Sequence, residues 1–233
     1  MKQRVVILSG SGLSAESGLP TFRDAAGLWR QHSWQELASP EGWRKNPALV
    51  LEFYNERRAK AWAAQPNAAH RAIASLETKF DVVIVTQNVD ALHERAGSKN
   101  VLHVHGELAF ARGSGPSRRR YRIEGAPIEI GQRCEDGTQL RPDIVWFGEE
   151  TQHMEAAREH VAAADRILVV GTSLSVYPAA SLVDEAREGA VKVLNSLEMD
   201  EVPRGFTFHP GPATRVVPRI MDGWLGQPNW PDP

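Results

Sequence analysis

The sequence predicts an α/β fold in which a mostly parallel sheet carries helices on both faces, beside a small lobe formed by two insertions. Three observations lead there. Residues 5–8 (VVIL), 82–85 (VVIV) and 167–170 (ILVV) are short, largely β-branched apolar runs that each stop at a polar or glycine-containing turn, as strands buried on both faces do. Helical patterns at 68–80, 155–164 and 178–188 alternate with strands, the arrangement that produces a parallel sheet. Two stretches, 29–66 and 109–141, stand outside this alternation.

Taken in order, the first strand (5–8) follows Met-Lys-Gln-Arg and ends at Ser9-Gly10. Four apolar residues are too few for a signal-peptide core or a membrane span, so a cytoplasmic location and no membrane partner are expected. Residues 29–66 contain helical pieces, clearest at 47–62, and no buried strand. The helix at 68–80 leads into the second strand. Residues 109–141 are polar and glycine-rich, with Arg118-Arg119-Arg120 and weak strand patterns at 121–124 and 128–130. The helix at 155–164 feeds the strand at 167–170, and a fourth strand at 191–194 ends at Asn195. Residues 1–28, 67–108 and 142–225 are thus expected to build the sheet domain, and 29–66 with 109–141 the lobe. After Met221 the chain is rich in Gly, Pro and Trp and is expected to lie on the surface or fray.

Composition narrows the function classes. A chain of 233 residues, 42% hydrophobic and 24% charged, builds an ordinary core without disulfide or metal staples. With 27 basic against 29 acidic residues, a net charge of −2 argues against a general nucleic-acid or anionic-membrane binder. Cys134 is the only cysteine, so neither an intramolecular disulfide nor a four-cysteine zinc site can form within the chain. The oligomeric state stays open; a monomer is compatible with all of this.

Ligands of open α/β sheets bind beyond the C-terminal ends of strands. That selects residues 10–23, 86–90, 171–174 and Asn195. Gly10-Ser11-Gly12-Leu13-Ser14-Ala15 fits the G-x-G-x-x-G/A fingerprint, where missing side chains let backbone N–H groups approach a pyrophosphate, although such glycines also occur in plain tight turns. The hydride-transfer version needs an acidic residue at the end of a second strand about 20 positions on. Asp24 has the spacing but follows Pro20-Thr21-Phe22-Arg23 in a loop, which disfavours a dehydrogenase.

The longer segment from Gly10 through Glu16 to Arg23 closely resembles the first sirtuin motif, Thr86-Gln87-Asn88-Val89-Asp90 the second, and His105-Gly106 the third. Arg141-Pro142, Val145-Trp146-Phe147-Gly148-Glu149, Gly171-Thr172-Ser173-Leu174, Asn195 and Gly211-Pro212-Ala213 follow in family order. The resemblance spans roughly residues 5 to 220 on several independent motifs. It implies a Rossmann-like NAD-binding domain and a protein-lysine deacylase. Such an enzyme cleaves the nicotinamide–ribose bond of NAD, moves the acyl group of an acyl-lysine to the ribose, and releases nicotinamide and O-acyl-ADP-ribose.

Roles follow by resemblance. Ala15, Asn88 and Asp90 would line the nicotinamide pocket. Phe22 would shield the reactive carbon and Arg23 would hold the closed loop. Gln87 would contact the ribose, Ser173 the phosphate or ribose, and Asn195 the adenosine ribose. Gly10, Ser11, Gly12, Ser14, Glu16, Thr21, Gly171, Thr172 and Ala213 complete the cofactor set. Catalysis would fall to His105, a neutral imidazole suited to activating a ribose hydroxyl, and to Asn88. His93 and His103 are expected to be structural, and His103-x-His105 is not by itself a metal site. Val145, Trp146, Phe147 and Gly148 would pair with the backbone of an acyl-lysine peptide or protein; a buried edge strand is the alternative.

Two departures matter. Most sirtuins hold a structural zinc on two cysteine pairs in the small lobe, whereas 109–142 offers Cys134 and no histidine, so no zinc is expected and Cys134 reads as a passive thiol. Tyr54-Asn55-Glu56-Arg57 matches the Tyr-x-x-Arg pattern of sirtuins that prefer succinyl and malonyl groups, with both side chains on one helix face and Ala38 leaving room for a longer acyl chain. Arg57 paired with Glu52 or Glu56 on a solvated helix is the plain alternative. An NAD glycohydrolase, an ADP-ribosyltransferase and a non-catalytic NAD or ADP-ribose sensor are the rival functions; a sensor needs no base such as His105.

Overall fold

A computed structural model describes residues 2–21, 33–117 and 119–226. Phe22 and Arg23 lie outside the described residues. The strands in chain order are β1 (Arg4–Ser9), β2 (Asp81–Thr86), β3 (Val101–His103), β4 (Gly106–Gly113), β5 (Arg120–Arg122), β6 (Leu140–Ile144), β7 (Arg166–Val170), β8 (Val191–Ser196) and β9 (Thr207–Pro210). The helices are α1 (Ser11–Ala15), α2 (Trp34–Leu37), α3 (Pro40–Lys45), α4 (Pro47–Ala63), α5 (Ala68–Ser75), α6 (Leu92–Arg95), α7 (Met154–Ala162) and α8 (Ala213–Leu225).

Six strands form one parallel sheet in the order β3-β2-β1-β7-β8-β9. This is a Rossmann-like α/β sheet whose order reverses at β1, so its ligand crevice belongs between the ends of β1 and β7. Side chains alternate across a strand with period two, and β1 distributes its residues accordingly. Val5 and Ile7 join Ile73 of α5 and Val217 and Ile220 of α8 on one face. Val6 and Leu8 join Ala157 and Val161 of α7 on the other. Each such fully buried aliphatic side chain contributes about 1.5–3 kcal/mol.

The two insertions pack as one lobe. β4 is the middle strand of an antiparallel sheet, β5-β4-β6. Helix α4 starts at Pro47 behind an Asn46 cap whose Oδ1 accepts from Leu49 N at 3.1 Å. Its Val50 and Tyr54 meet Leu108, Ile144 and Trp146, while Leu51 meets Ala111 and Ile128. Arg58 donates from Nε to the Leu108 carbonyl at 2.7 Å and fixes the helix to β4.

Three expectations are corrected. The stretch 128–130 is not a strand, because Asn55 takes both backbone groups of Ile128, accepting its N–H and donating to its carbonyl, each at 2.9 Å. The run 178–188 contains a 3-10 helix, Ala179–Glu185, whose three-residue period stacks Ala179 over Leu182 and Ala180 over Val183, all four buried. Residues 222–225 do not fray: they complete α8, with Trp224 and Leu225 against the core and Gly226 (φ +83°) closing the end.

Candidate active site

The ends of β1, β2, β7 and β8 open into one cleft of about 850 Å³ that continues to the small lobe. Gly10, Ser11, Gly12, Ala15, Glu16 and Thr21 line it after β1. Gln87 and Asn88 follow β2, Gly171, Thr172 and Ser173 follow β7, and Asn195 and Ala213 stand at the far end. His105, Ala38, Tyr54, Arg57 and Val145, Trp146, Phe147 and Gly148 complete the lobe side. Ser14 and Asp90 are buried behind this surface and do not line it.

The glycines serve close packing. A Cβ on Gly10 would fall 2.8 Å from the Gly171 carbonyl, one on Gly12 2.9 Å from it, and one on Gly171 (φ +63°) 2.2 Å from Leu13 N. Gly10 N–H donates to Val170 and Gly12 N–H to Gly171, so neither is offered to a phosphate as the fingerprint had suggested. The interlock brings the two halves of the sheet together at the switch point.

Among the described residues, Asn88 is bonded at every backbone and amide hydrogen-bonding group except Oδ1. Its N–H donates to Thr86 Oγ1 at 3.0 Å, and its Nδ2 donates to the Gly10 carbonyl at 3.0 Å and to Ser14 Oγ at 3.1 Å. Its carbonyl takes His103 Nδ1 at 2.9 Å, while His103 Nε2 faces the Glu94 carboxylate at 2.7 Å. Both His103 partners only accept, so the ring carries both protons. Burial opposes that charge, and Glu94 with Glu107 outweighs it, holding the His103 pKa above the ordinary value. Glu94, His103 and Glu107 bring donor atoms within 4.8 Å of one another, but His103 is bonded to Glu94 and Glu107 to Arg120, which satisfies the group as ion pairs.

His105 faces the Gln87 carbonyl from Nδ1 at 3.3 Å. A carbonyl only accepts, so Nδ1 holds the proton and the Nε2 lone pair stays available. Burial pushes the His105 pKa down, which keeps the ring neutral near pH 7. Asp90 is pushed the other way by burial, against the Leu92 N–H and the Ser14 hydroxyl.

On the lobe side the segment after β6 is a turn closed by Glu149 N–H to the Trp146 carbonyl at 2.9 Å, so it is not an edge strand. Arg141 grips Glu149 with Nη1 at 2.7 Å and Nη2 at 2.9 Å and lies 3.2 Å from the Trp146 ring centroid. Phe147 N–H is already given to the Ala38 carbonyl at 3.0 Å. Arg57 lies 5.8 Å from the Tyr54 ring centroid; burial lowers its pKa, with Tyr54 and Asp90 opposing. The sequence reading missed Trp34, tilted on Phe147 at 4.8 Å, and the rim formed by Val176, Tyr177 and Leu197. Trp34 sits in a four-residue helix with no periodicity to mark it.

Cys134 does not belong to a metal centre of the family's type. Its thiol donates to Asp136 Oδ1 at 2.8 Å, and the chain has no second cysteine, so the residues present do not fit a tetrahedral thiolate site. No described helix is long and apolar enough to cross a membrane.

Comparison with known proteins agrees with this geometry. The Sir2 family pattern matches residues 10–178. An NAD-dependent protein deacylase of Helicobacter pylori is 51% identical over 189 residues, covering 81% of this chain and 80% of that one. One from Pasteurella multocida is 47% identical over 233 residues, covering 95% and 98%. A crystal structure of a Sir2 homologue–NAD complex superposes with a TM-score of 0.85 at 38% identity, covering 97% of this chain and 90% of that chain. The chain belongs to the Sir2 family.

Proposed function

We propose that this chain is an NAD-dependent protein-lysine deacylase that removes acetyl groups and also acidic acyl groups such as succinyl and malonyl. The observation that carries the reading is a single cleft that joins the ends of β1, β2, β7 and β8 to Arg57 and is lined by His105, whose pKa burial lowers so that the ring stays neutral and able to accept a proton. Relatives named NAD-dependent protein deacylase and a Sir2 structure containing a deacetylated p53 peptide support the general activity.

NAD suits the residues present. The buried Asn195 donates from Nδ2 to His209 and Gly211 carbonyls, and its Oδ1 has no partner among the described residues, an acceptor ready for a ribose hydroxyl. Asn88 Oδ1 is likewise left for the cleft at the nicotinamide end. When bound, NAD supplies a ribose carbon that becomes electrophilic as nicotinamide leaves. Acceptor groups in a site shielded from water favour that build-up of positive charge. Holding the acyl-lysine carbonyl in line with the carbon replaces a bimolecular encounter by a positioned one. His105 Nε2 then takes the proton of a ribose hydroxyl, whose oxygen attacks the acyl carbon; one water adds as the C–N bond to lysine breaks, so the products are nicotinamide, free lysine and O-acyl-ADP-ribose.

Ala38, Tyr54 and Arg57 line the same cleft, where the planar guanidinium can take a carboxylate in two hydrogen bonds. Incubating acetyl- and succinyl-lysine peptides with NAD and following both by mass spectrometry tests the proposal. Turnover of both is expected. NAD loss without deacylation would mean a glycohydrolase, and tight binding without turnover a sensor.

A further inference from the structure

His93 is buried on α6, behind the cleft, and the chemistry above makes no use of it. Its Nε2 lies 2.9 Å from Ser9 Oγ at the end of β1. Ser9 donates its own proton to Thr86 Oγ1 at 2.8 Å, and Thr86 Oγ1 also accepts the Asn88 N–H at 3.0 Å. A serine has one proton, and it is already given to Thr86, so on the His93 side Ser9 can only accept. His93 must therefore be the Nε2–H tautomer, with its Nδ1 lone pair unpartnered among the described residues. Burial and the nearby His70 and His103 rings push its pKa far below the ordinary value, so the ring stays neutral. The bonds run in one direction, from His93 through Ser9 to Thr86, and they meet the Asn88 N–H there. Within this run the hydroxyl of Ser9 cannot turn without losing a partner on one side.

We propose that His93 is a positioning residue that fixes the Asn88 backbone from below through the Ser9–Thr86 hydroxyl pair, and so aims Asn88 Oδ1 into the nicotinamide end of the cleft. The inference rests on the reading of Asn88 given under the proposed function. His103 holds the other side of the same peptide segment through the Asn88 carbonyl. With both sides held, the two Nδ2 bonds of Asn88 orient the amide plane. A side chain displaced by a fraction of an ångström at this point slows the chemical step more than it weakens binding.

The test uses the full chain with three substitutions, reading kcat, KM for NAD and peptide, nicotinamide exchange and Tm. His93→Leu removes the donor, His93→Gln keeps an N–H at similar reach, and Thr86→Val breaks the run at its far end with almost no change of shape. Expected are a fall in kcat and in exchange of about 10- to 100-fold for His93→Leu and Thr86→Val, with both KM values within about two-fold. His93→Gln should recover most of the rate, and the double variant should be no slower than either single one. Wild-type kcat per folded molecule in Thr86→Val or His93→Leu overturns the proposal, as do additive effects or a His93→Gln variant as slow as His93→Leu. If His93→Leu does not fold, Thr86→Val decides alone. Asn88→Ala provides the separate control: wild-type turnover there would remove the role given to Asn88 rather than the bonding described here.

Discussion

Arg120 on β5 reaches across the middle strand β4 to Asp143 on β6, its Nε 2.5 Å from the carboxylate and its guanidinium carbon 4.0 Å from the Phe110 ring centroid. The same arginine also bonds Glu107 on β4, so one side chain joins all three strands of the small lobe. Arg112 and Arg141 extend the pairing to Glu149, which closes the turn after β6. Asp143 is almost fully buried, and without its charge Arg120 keeps only Glu107 and Arg112 only Glu149; Asp143→Asn should cost about 1.5–3 kcal/mol, the value of a charge-assisted hydrogen bond, read as a lowered Tm. Chelator should leave Tm and activity unchanged. A chelator-sensitive Tm, or stoichiometric zinc by elemental analysis, would show that a metal holds this lobe.

His105→Ala should lower deacylation about 10²- to 10⁴-fold while NAD binding by calorimetry persists. Because burial depresses the His105 pKa, the base stays deprotonated as pH falls past the usual histidine range. The acid limb of kcat/KM should therefore fall below about pH 6.5, the unperturbed histidine value. A limb at or above that value contradicts the assignment.

Arg57→Met should weaken desuccinylation about 10- to 100-fold, the value of a charge-assisted hydrogen bond, with deacetylation nearly unchanged. Equal losses on both substrates would leave the acidic-acyl reading without support.

Burial and the adjacent Arg71 lower the His70 pKa from 6.5 to about 4. As pH drops, the unfolded chain takes up the proton first, so the contribution of a neutral His70 is complete above pH 6.5 and is lost between there and about pH 4. The loss is about 3 kcal/mol for this residue, and His93, shifted the same way, adds to it. Tm should fall steadily over that interval. A flat profile would mean that both rings protonate inside the folded protein.

Much of this was legible in the sequence, for reasons that can be named. The strands at 5–8, 82–85 and 167–170 are buried on both faces, so their apolar runs are unbroken; 191–194 keeps its period despite Lys192 because only Val193 and Leu194 are buried. Strand β4 is not legible because its Glu107 and Arg112 serve ion pairs, and α8 hides behind Pro218 and Gly223. The cleft residues after each strand end were found by topology and motif together. Ser14 and Asp90 carried the motif yet stand one layer back, since a motif marks spacing and not whether a side chain reaches the surface. The chain from His93 to Thr86 had no local signature: its middle member, Ser9, is distant in sequence from the other two and meets them because β1 and β2 are paired in register at Ser9 and Thr86.

His105 stands on one of the crossings between the sheet and the lobe, where Gly106 pairs with Ile144 and Val145 N–H returns to the His105 carbonyl at 2.9 Å. The imidazole is thereby tied to backbone pairing, whereas Tyr54 and Arg57 ride on α4, held by side-chain packing. Under the proposed function, the proton-accepting group and the acyl-binding groups therefore rest on separate supports, and a change at one end leaves the other in place.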